Sequence, residues 1–98
     1  SSNKGMPVYA TANGRVVSAS KLGNYGNTIK INHSHGYHTF YAHLHKILVK
    51  RGQEIKRGDL IGQVGNTGRS TASHLHYEVH YFGTPQDPEH YFLARNLR

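Results

Sequence analysis

His74 and His76, separated by Leu75, are the residues of this 98-residue chain whose types and spacing most directly suggest chemistry. In a β-strand, residues two apart point to the same face, so both imidazoles project together while Leu75 faces the opposite side. Two neighbouring imidazoles suit a metal ligand placed beside a general acid or base. Taken alone, the pair is equally well explained by two surface histidines on an edge strand.

A third histidine, His43, shifts this balance towards a functional site. The sequence predicts a strand in which Tyr41 and His43 share one face and the alternate residues share the other. If that strand lies close to the one carrying the His-x-His pair, three histidines converge at one end of a sheet. For His43 alone a structural role is the simpler interpretation, but the three histidines together favour a site.

The elements that must position these histidines are short strands separated by turns. Asn13-Gly14 is a strong turn signal because both residues tolerate positive φ, and Ser34-His35-Gly36 is a second turn. The segments between turns alternate apolar and polar residues or are rich in β-branched and aromatic residues, which predicts strands. Consecutive strands joined by tight turns imply an antiparallel sheet. The predicted strands comprise residues 7–10, 15–19, 28–33, 37–44, 61–65 and 74–81.

Residues 50–61 contain a near-exact six-residue repeat, in which each Lys-Arg-Gly is followed by a short segment that ends in isoleucine. Glycine-spaced segments of this kind predict a chain that winds back and forth over the edge of a barrel. Biotinyl and lipoyl carrier domains are therefore a competing fold, but they present a modifiable lysine at a hairpin tip beside Met or Ala. The sequence has no such hairpin, and its one methionine, Met6, lies elsewhere. The repeat indicates architecture and not carrier chemistry.

Composition predicts one small domain, residues 1–98, and restricts its metal chemistry. The chain has no Cys, so disulfides and thiolate ligands are excluded, and its nine His make histidine the main candidate ligand. No apolar run is long enough to span a bilayer, and no signal-peptide pattern is present.

The net charge of +7 favours anionic partners such as nucleic acid, anionic lipid or cell-wall polymers, with a basic surface of no specific partner as the alternative. Nucleic acid is the weakest candidate, because the charges are dispersed and no recognition helix or ring-stacking motif accompanies them.

Five segments of the sequence resemble, in order, those of the lysostaphin-type (LytM-type) zinc metallopeptidases. The resemblance runs from Gly5 to about Tyr91, and five segments in register make it specific. The segments are Gly5-Met6-Pro7-Val8-Tyr9-Ala10, Tyr25-Gly26-Asn27, Thr39-Phe40-Tyr41-Ala42-His43-Leu44, Gly62-Gln63-Val64-Gly65-Asn66-Thr67-Gly68 and Ser70-Thr71-Ala72-Ser73-His74-Leu75-His76-Tyr77-Glu78-Val79.

This resemblance implies a mostly β fold, a small antiparallel sheet or split barrel with an active-site groove, similar to a duplicated hybrid motif. It also implies that His76 binds zinc, whereas His43 and His74 act on the catalytic water and the developing oxyanion. Which of these two histidines does which is left open. The roles are chemically consistent because zinc lowers the pKa of a bound water, and imidazole exchanges protons near neutral pH.

Two loops correspond to the groove walls of the family. A plain turn explains the first loop, which holds Tyr25 and Asn27, about as well as a substrate contact does. The Gly, Ser and Thr content of the second loop, residues 66–73, suits contact with a small-residue peptide. The resemblance implies that the substrate groove includes Tyr25, Asn27, Thr67, Ser70 and Thr71.

Glu78 and the other histidines receive plainer interpretations. In a regular strand Glu78 shares a face with His76, where it either orients a histidine or is a solvated carboxylate, and the solvated carboxylate is the simpler interpretation. The remaining histidines are interpreted as turn or surface residues, namely His33, His35, His38, His45, His80 and His90.

The sequence departs from the family pattern at one point. In the family, a His and an Asp separated by three residues precede the Gly-x-Pro-Val segment and supply two more zinc ligands. No such pair precedes Gly5 here, and the only aspartates are Asp59 and Asp87. The domain is therefore either truncated at its N-terminus or degenerate, and the retention of all three histidines favours truncation. With one of three ligands, the chain alone is expected to be inactive.

The functional expectation is a zinc-dependent endopeptidase that hydrolyses the peptide cross-links of bacterial peptidoglycan. Zn²⁺ is the expected cofactor, and peptidoglycan stems or cross-bridges are the expected partners, in the periplasm or outside the cell. Neither nucleic acid nor a membrane span is expected. The alternative is a catalytically inactive domain of the same type that binds or regulates a cell-wall hydrolase or an envelope complex.

Overall fold

The computed structural model describes residues 4–65 and 75–87, which form an all-β arrangement with one short 3₁₀ turn at Gly23–Tyr25. The described residues contain no helix with the length and apolar character needed to cross a membrane. The strands are β1 (Pro7–Tyr9), β2 (Gly14–Lys21), β3 (Asn27–Ser34), β4 (Tyr37–Ala42), β5 (Leu44–Ile47), β6 (Glu54–Ile55), β7 (Leu60–Val64), β8 (His76–Tyr81) and β9 (Thr84–Gln86).

These strands form two antiparallel sheets. The larger sheet has the order β6-β2-β3-β4-β8-β9, and the smaller has the order β1-β7-β5. Every strand pair recorded in the two sheets is antiparallel, as the short turns of the sequence predict. The chain therefore has the mostly β, antiparallel architecture expected from its sequence.

The hydrophobic core joins the two sheets. Ile29, Ile31 and Tyr41 of the larger sheet belong to the same cluster as Leu44 and Ile61 of the smaller one, and each is at most 1% exposed. Burying one such aliphatic side chain contributes roughly 2 kcal/mol to stability. This apolar face of β3 and β4 leaves the alternate residues of both strands on the opposite face of the sheet.

The six-residue repeat produces two turns of the same design. Gly52 and Gly58 have φ values of 89° and 88°, a conformation that glycine adopts without steric cost. In each turn the side chain three residues on accepts a hydrogen bond from the lysine N–H, at 3.1 Å from Lys50 to Gln53 and 2.8 Å from Lys56 to Asp59. The repeat thus has a role in architecture, because each turn leads into a strand, β6 or β7.

The prediction of one continuous strand over residues 37–44 is wrong, because the chain breaks at His43. His43 has a φ of 58°, so β4 ends at Ala42 and β5 begins at Leu44 in the other sheet. The predicted shared face of Tyr41 and His43 is wrong for the same reason. Tyr41 is in the core, where its hydroxyl contacts the Thr11 hydroxyl at 2.9 Å.

Candidate active site

His43 is held in place by its backbone at the break between the two sheets. Its N–H donates to the carbonyl of Tyr25 at 2.8 Å, and its side chain is largely buried, with the residue 9% exposed. The Asn27 amide donates to the carbonyl of Leu44 at 3.0 Å, which fixes the residue that follows His43. Tyr25 in the 3₁₀ turn and Asn27 at the start of β3 therefore position His43 and the residue after it.

His76 begins β8 beside the end of β4 and is paired with Ala42. Its ring centroid lies 5.6 Å from that of His43, in an edge-on arrangement, and 5.7 Å from that of Tyr25. A depression of about 620 Å³ adjoins these rings and is lined by Leu22, Gly23, Asn24, Tyr25 and His43. Two imidazoles and a phenol thus converge where β4 ends and β8 begins in the larger sheet.

Glu78 connects His76 to a further histidine on β8. His76 Nε2 donates to Glu78 Oε2 at 2.5 Å, and His80 Nε2 donates to Glu78 Oε1 at 2.8 Å. Burial raises the pKa of Glu78, but the hydrogen bonds and charges of His80 and His76 outweigh burial and hold that pKa below its ordinary value. Glu78 is therefore an ionised acceptor at neutral pH, so the interpretation of a freely solvated carboxylate is wrong.

Tyr25 is affected by the same carboxylate. The negative charge of Glu78, burial, and a side-chain hydrogen bond to Glu78 all raise the pKa of Tyr25 above its ordinary value of 10.0. The phenol therefore stays protonated at neutral pH, with the Glu78 carboxylate as an acceptor of its proton.

The sheet face beyond Glu78 is aromatic and basic. Glu78 pairs with Phe40, and Phe40 pairs with Lys30, so the three side chains lie in a row across β8, β4 and β3. The centroids of the His80 and Phe40 rings are 4.4 Å apart. The Lys30 ammonium lies over the same Phe40 ring, 5.2 Å from its centroid. His80 is therefore packed in place, and its classification as a plain surface residue is wrong.

The donor atoms of His76 fit one position of a zinc site. Neutral imidazole is a preferred zinc ligand, and zinc-binding histidines typically donate their other ring N–H to a carboxylate. His76 does so through Nε2, and within residues 4–65 and 75–87 its Nδ1 has no hydrogen-bond partner. In the same part of the chain no three His, Cys, Asp or Glu lie close enough to hold a metal. His76 thus fits as one ligand, and the described residues do not complete the set.

The sequence-based site predictions divide into two groups. His43, His76 and Tyr25 come together, and Asn27 lies beside them with its amide directed at Leu44. The other predicted residues lie outside the described part of the chain and remain predictions, namely His74, Thr67, Ser70 and Thr71.

Sequence reasoning undervalued two residues of the site, Glu78 and His80. The signal that would have found them is the period of two on β8, which places His76, Glu78 and His80 on one face. The pattern alone does not reveal that the two imidazoles share the carboxylate.

Comparison of the sequence with known families identifies the class of this protein. The model of peptidase family M23 matches residues 1–88, and the chain belongs to this family. It is 49% identical over 81 residues to the peptidoglycan DD-endopeptidase ShyA of Vibrio cholerae, covering 83% of this chain and 19% of ShyA. The chain thus spans about a fifth of the length of that relative. It is also 43% identical over 94 residues to lipoprotein NlpD of Yersinia enterocolitica, covering 95% of this chain and 96% of that sequence.

Solved structures confirm the lysostaphin-type fold. The lysostaphin catalytic domain of Staphylococcus simulans superposes with a TM-score of 0.86 and 37% identity, covering 93% of this chain and 73% of that domain. A zinc-containing peptidase from Vibrio cholerae superposes with a TM-score of 0.82 and 48% identity, and the match covers 85% of this chain and 26% of the peptidase chain. The fold expected from the five sequence segments is therefore correct.

Proposed function

We propose that this chain is the catalytic domain of a zinc-dependent endopeptidase that hydrolyses peptide cross-links of bacterial peptidoglycan. The observation that carries the proposal is the convergence of the His43, His76 and Tyr25 rings, with both ring distances under 6 Å, in a chain of family M23. The relative ShyA is named a peptidoglycan DD-endopeptidase, which supports a cross-link between two D-configured centres as the substrate.

His43 and His74 are the proposed proton-exchanging groups. An imidazole next to the reacting water takes up its proton and returns one to the leaving amine, which needs a side chain held within hydrogen-bonding reach. The backbone hydrogen bond from His43 to Tyr25 supports such a role, because it fixes the ring beside His76. Tyr25, as a neutral phenol, is the proposed donor to the substrate carbonyl.

His76 is the proposed zinc ligand of the described residues. A His-x-x-x-Asp pair, which the family carries upstream of the Gly-x-Pro-Val segment, is the proposed source of two more ligands. When bound, zinc supplies Lewis acidity towards water and towards the scissile carbonyl. A peptidoglycan substrate implies a place in the periplasm or outside the cell, where the net charge of +7 favours retention on an anionic wall.

The test uses this domain extended upstream with an engineered His-x-x-x-Asp segment. We expect the extended form to hold one zinc per chain by elemental analysis and to convert cross-linked muropeptide dimers to monomers, measured by chromatography and mass spectrometry. His76→Ala should abolish both zinc retention and cleavage. His43→Ala should retain zinc and lose cleavage, because its imidazole acts on protons and not on the metal.

His45→Ala is the matched control, because His45 is an exposed histidine on β5. It should keep both zinc and activity. A zinc-loaded extended form that cleaves neither D,D-linked dimers nor glycine-bridged ones would contradict the proposal. Binding to peptidoglycan or to a cell-wall hydrolase without cleavage would favour the regulatory alternative, which the named peptidase relatives do not favour.

A further inference from the structure

The strongest unassigned feature of the molecule is the hydrogen-bonded series His76–Glu78–His80 along one face of β8. Each carboxylate oxygen of Glu78 serves a different imidazole, Oε2 that of His76 and Oε1 that of His80. The side chains are partly shielded from water, with exposures of 39% for His76, 22% for Glu78 and 17% for His80. Shielding strengthens such hydrogen bonds relative to those of a fully solvated pair.

The contact of His76 Nε2 with Glu78 Oε2 at 2.5 Å determines the tautomer of His76. An ionised carboxylate has no proton to donate, so the nitrogen that contacts it must carry one. The Nε2 atom of His76 therefore carries the proton, and in the neutral ring the lone pair is on Nδ1. Nδ1 has no hydrogen-bond partner among the described residues, so it is the ring nitrogen left for a metal ion.

His80 and Phe40 explain why the carboxylate stays in this position. His80 donates to the second oxygen of Glu78, and its own ring packs 4.4 Å from Phe40, the residue paired with Glu78 on β4. A carboxylate held at both oxygens loses the rotational freedom that an exposed glutamate keeps. The position of His80 is in turn set by strand pairing, since it lies opposite His38 in the ladder.

We propose that Glu78, held by His80, is a positioning residue for His76: it fixes the Nε2–H tautomer and the ring orientation that leave Nδ1 for zinc. The part of this inference that concerns zinc rests on the proposed function. The part that concerns the tautomer rests only on contacts within this chain. Partners of this kind typically change metal affinity by 10- to 100-fold, roughly, when they are removed.

The first experiment records long-range ¹H–¹⁵N spectra of the histidine rings in the metal-free 98-residue chain at pH 8. The His76 signals are assigned by their loss in His76→Gln. We expect Nε2 of His76 to carry the proton and Nδ1 to show the shift of an unprotonated ring nitrogen. In Glu78→Ala this preference should disappear, whereas in Glu78→Gln, whose amide oxygen can still accept from Nε2, it should largely return. A proton on Nδ1 in the wild-type chain would overturn the inference without any variant.

The second experiment measures zinc affinity of the extended form by competition with a chelator. Glu78→Ala should weaken zinc binding by about 10- to 100-fold, and Glu78→Gln by less. Glu54→Ala is the matched control, because it removes the same charge from the exposed strand β6 and should leave the affinity unchanged. Unchanged affinity in Glu78→Ala would overturn the zinc part of the inference. If the extended form fails to cleave peptidoglycan but the tautomer depends on Glu78, the proposed function fails and the positioning role stands.

Discussion

Tyr25 and His43 are joined by a backbone hydrogen bond, and their rings share a neighbour, His76. The backbone carbonyl of Tyr25 accepts the His43 N–H at 2.8 Å, and the rings of both residues lie within 5.7 Å of the His76 ring. The phenol hydroxyl is thus placed at the site by a short loop that also positions an imidazole. At the residue scale, the chemistry of Tyr25 is separable from its packing, because the hydroxyl can be removed while the ring is kept.

Tyr25→Phe tests the hydroxyl alone. We expect the kcat/KM of the zinc-loaded extended form on muropeptide dimers to fall about 100-fold, the typical loss when one donor to a developing oxyanion is removed. Zinc stoichiometry and the urea unfolding midpoint should not change, because the ring remains beside His76. Tyr9→Phe is the control, since Tyr9 is an exposed tyrosine on β1. Full activity of Tyr25→Phe would remove Tyr25 from the proposed mechanism.

At the element scale, the break between β4 and β5 delivers His43 to the site. The alternation of residues in the sequence predicted β4, because a sheet with one buried face imposes a period of two, but it extended that strand to Leu44. It predicted neither the break nor β5, because no glycine or proline marks His43. The positive φ is stabilised by contacts distant in sequence, including the hydrogen bond to Tyr25, 18 residues earlier. The same limit applies to Glu78, whose strand position followed from spacing but whose two hydrogen bonds depend on side-chain conformation.

Replacement of His43 by Ala and by Gly separates the backbone from the side chain. Both variants lose the imidazole and should be inactive, but only glycine adopts a φ of 58° without steric cost. We therefore expect His43→Gly to be more stable than His43→Ala by about 1 kcal/mol in urea unfolding. At Ser20, in the regularly paired part of β2, the same pair of substitutions should show the opposite order, because glycine weakens a regular strand. Equal stability of the two His43 variants would show that the left-handed conformation costs nothing here.

At the scale of the whole molecule, His33 connects the loop before β2 to the centre of the larger sheet. Its Nδ1 donates to the carbonyl of Asn13 at 2.6 Å, and its Nε2 contacts the hydroxyl of Thr39 at the same distance. Burial lowers the pKa of His33, against a smaller opposing effect of the Asn13 hydrogen bond. Burial also lowers the pKa of His38 on β4, with further contributions from the charges of Lys30, His33 and His80. Because both pKa values are lowered in the folded chain, protonation of these histidines decreases the free energy of unfolding.

The sign of this linkage makes the fold less stable in mild acid. Well above pH 6.5, the ordinary histidine pKa, neither the folded nor the unfolded chain protonates His33, and the full stability is present. As the pH falls below 6.5, the unfolded chain takes up the proton first, so stability decreases until the pH reaches the lower pKa of the folded state. We expect the free energy of unfolding in urea to fall between pH 7.5 and 5, by up to about 1.4 kcal/mol per pH unit for each such proton. This pH range lies above the ordinary carboxyl pKa of 4.5. Because the pKa of Glu78 is lowered further, loss of stability through protonation of Glu78 occurs below this range.

His33→Gln should reduce the slope of the free energy of unfolding against pH, and an unchanged slope would assign the effect to other groups.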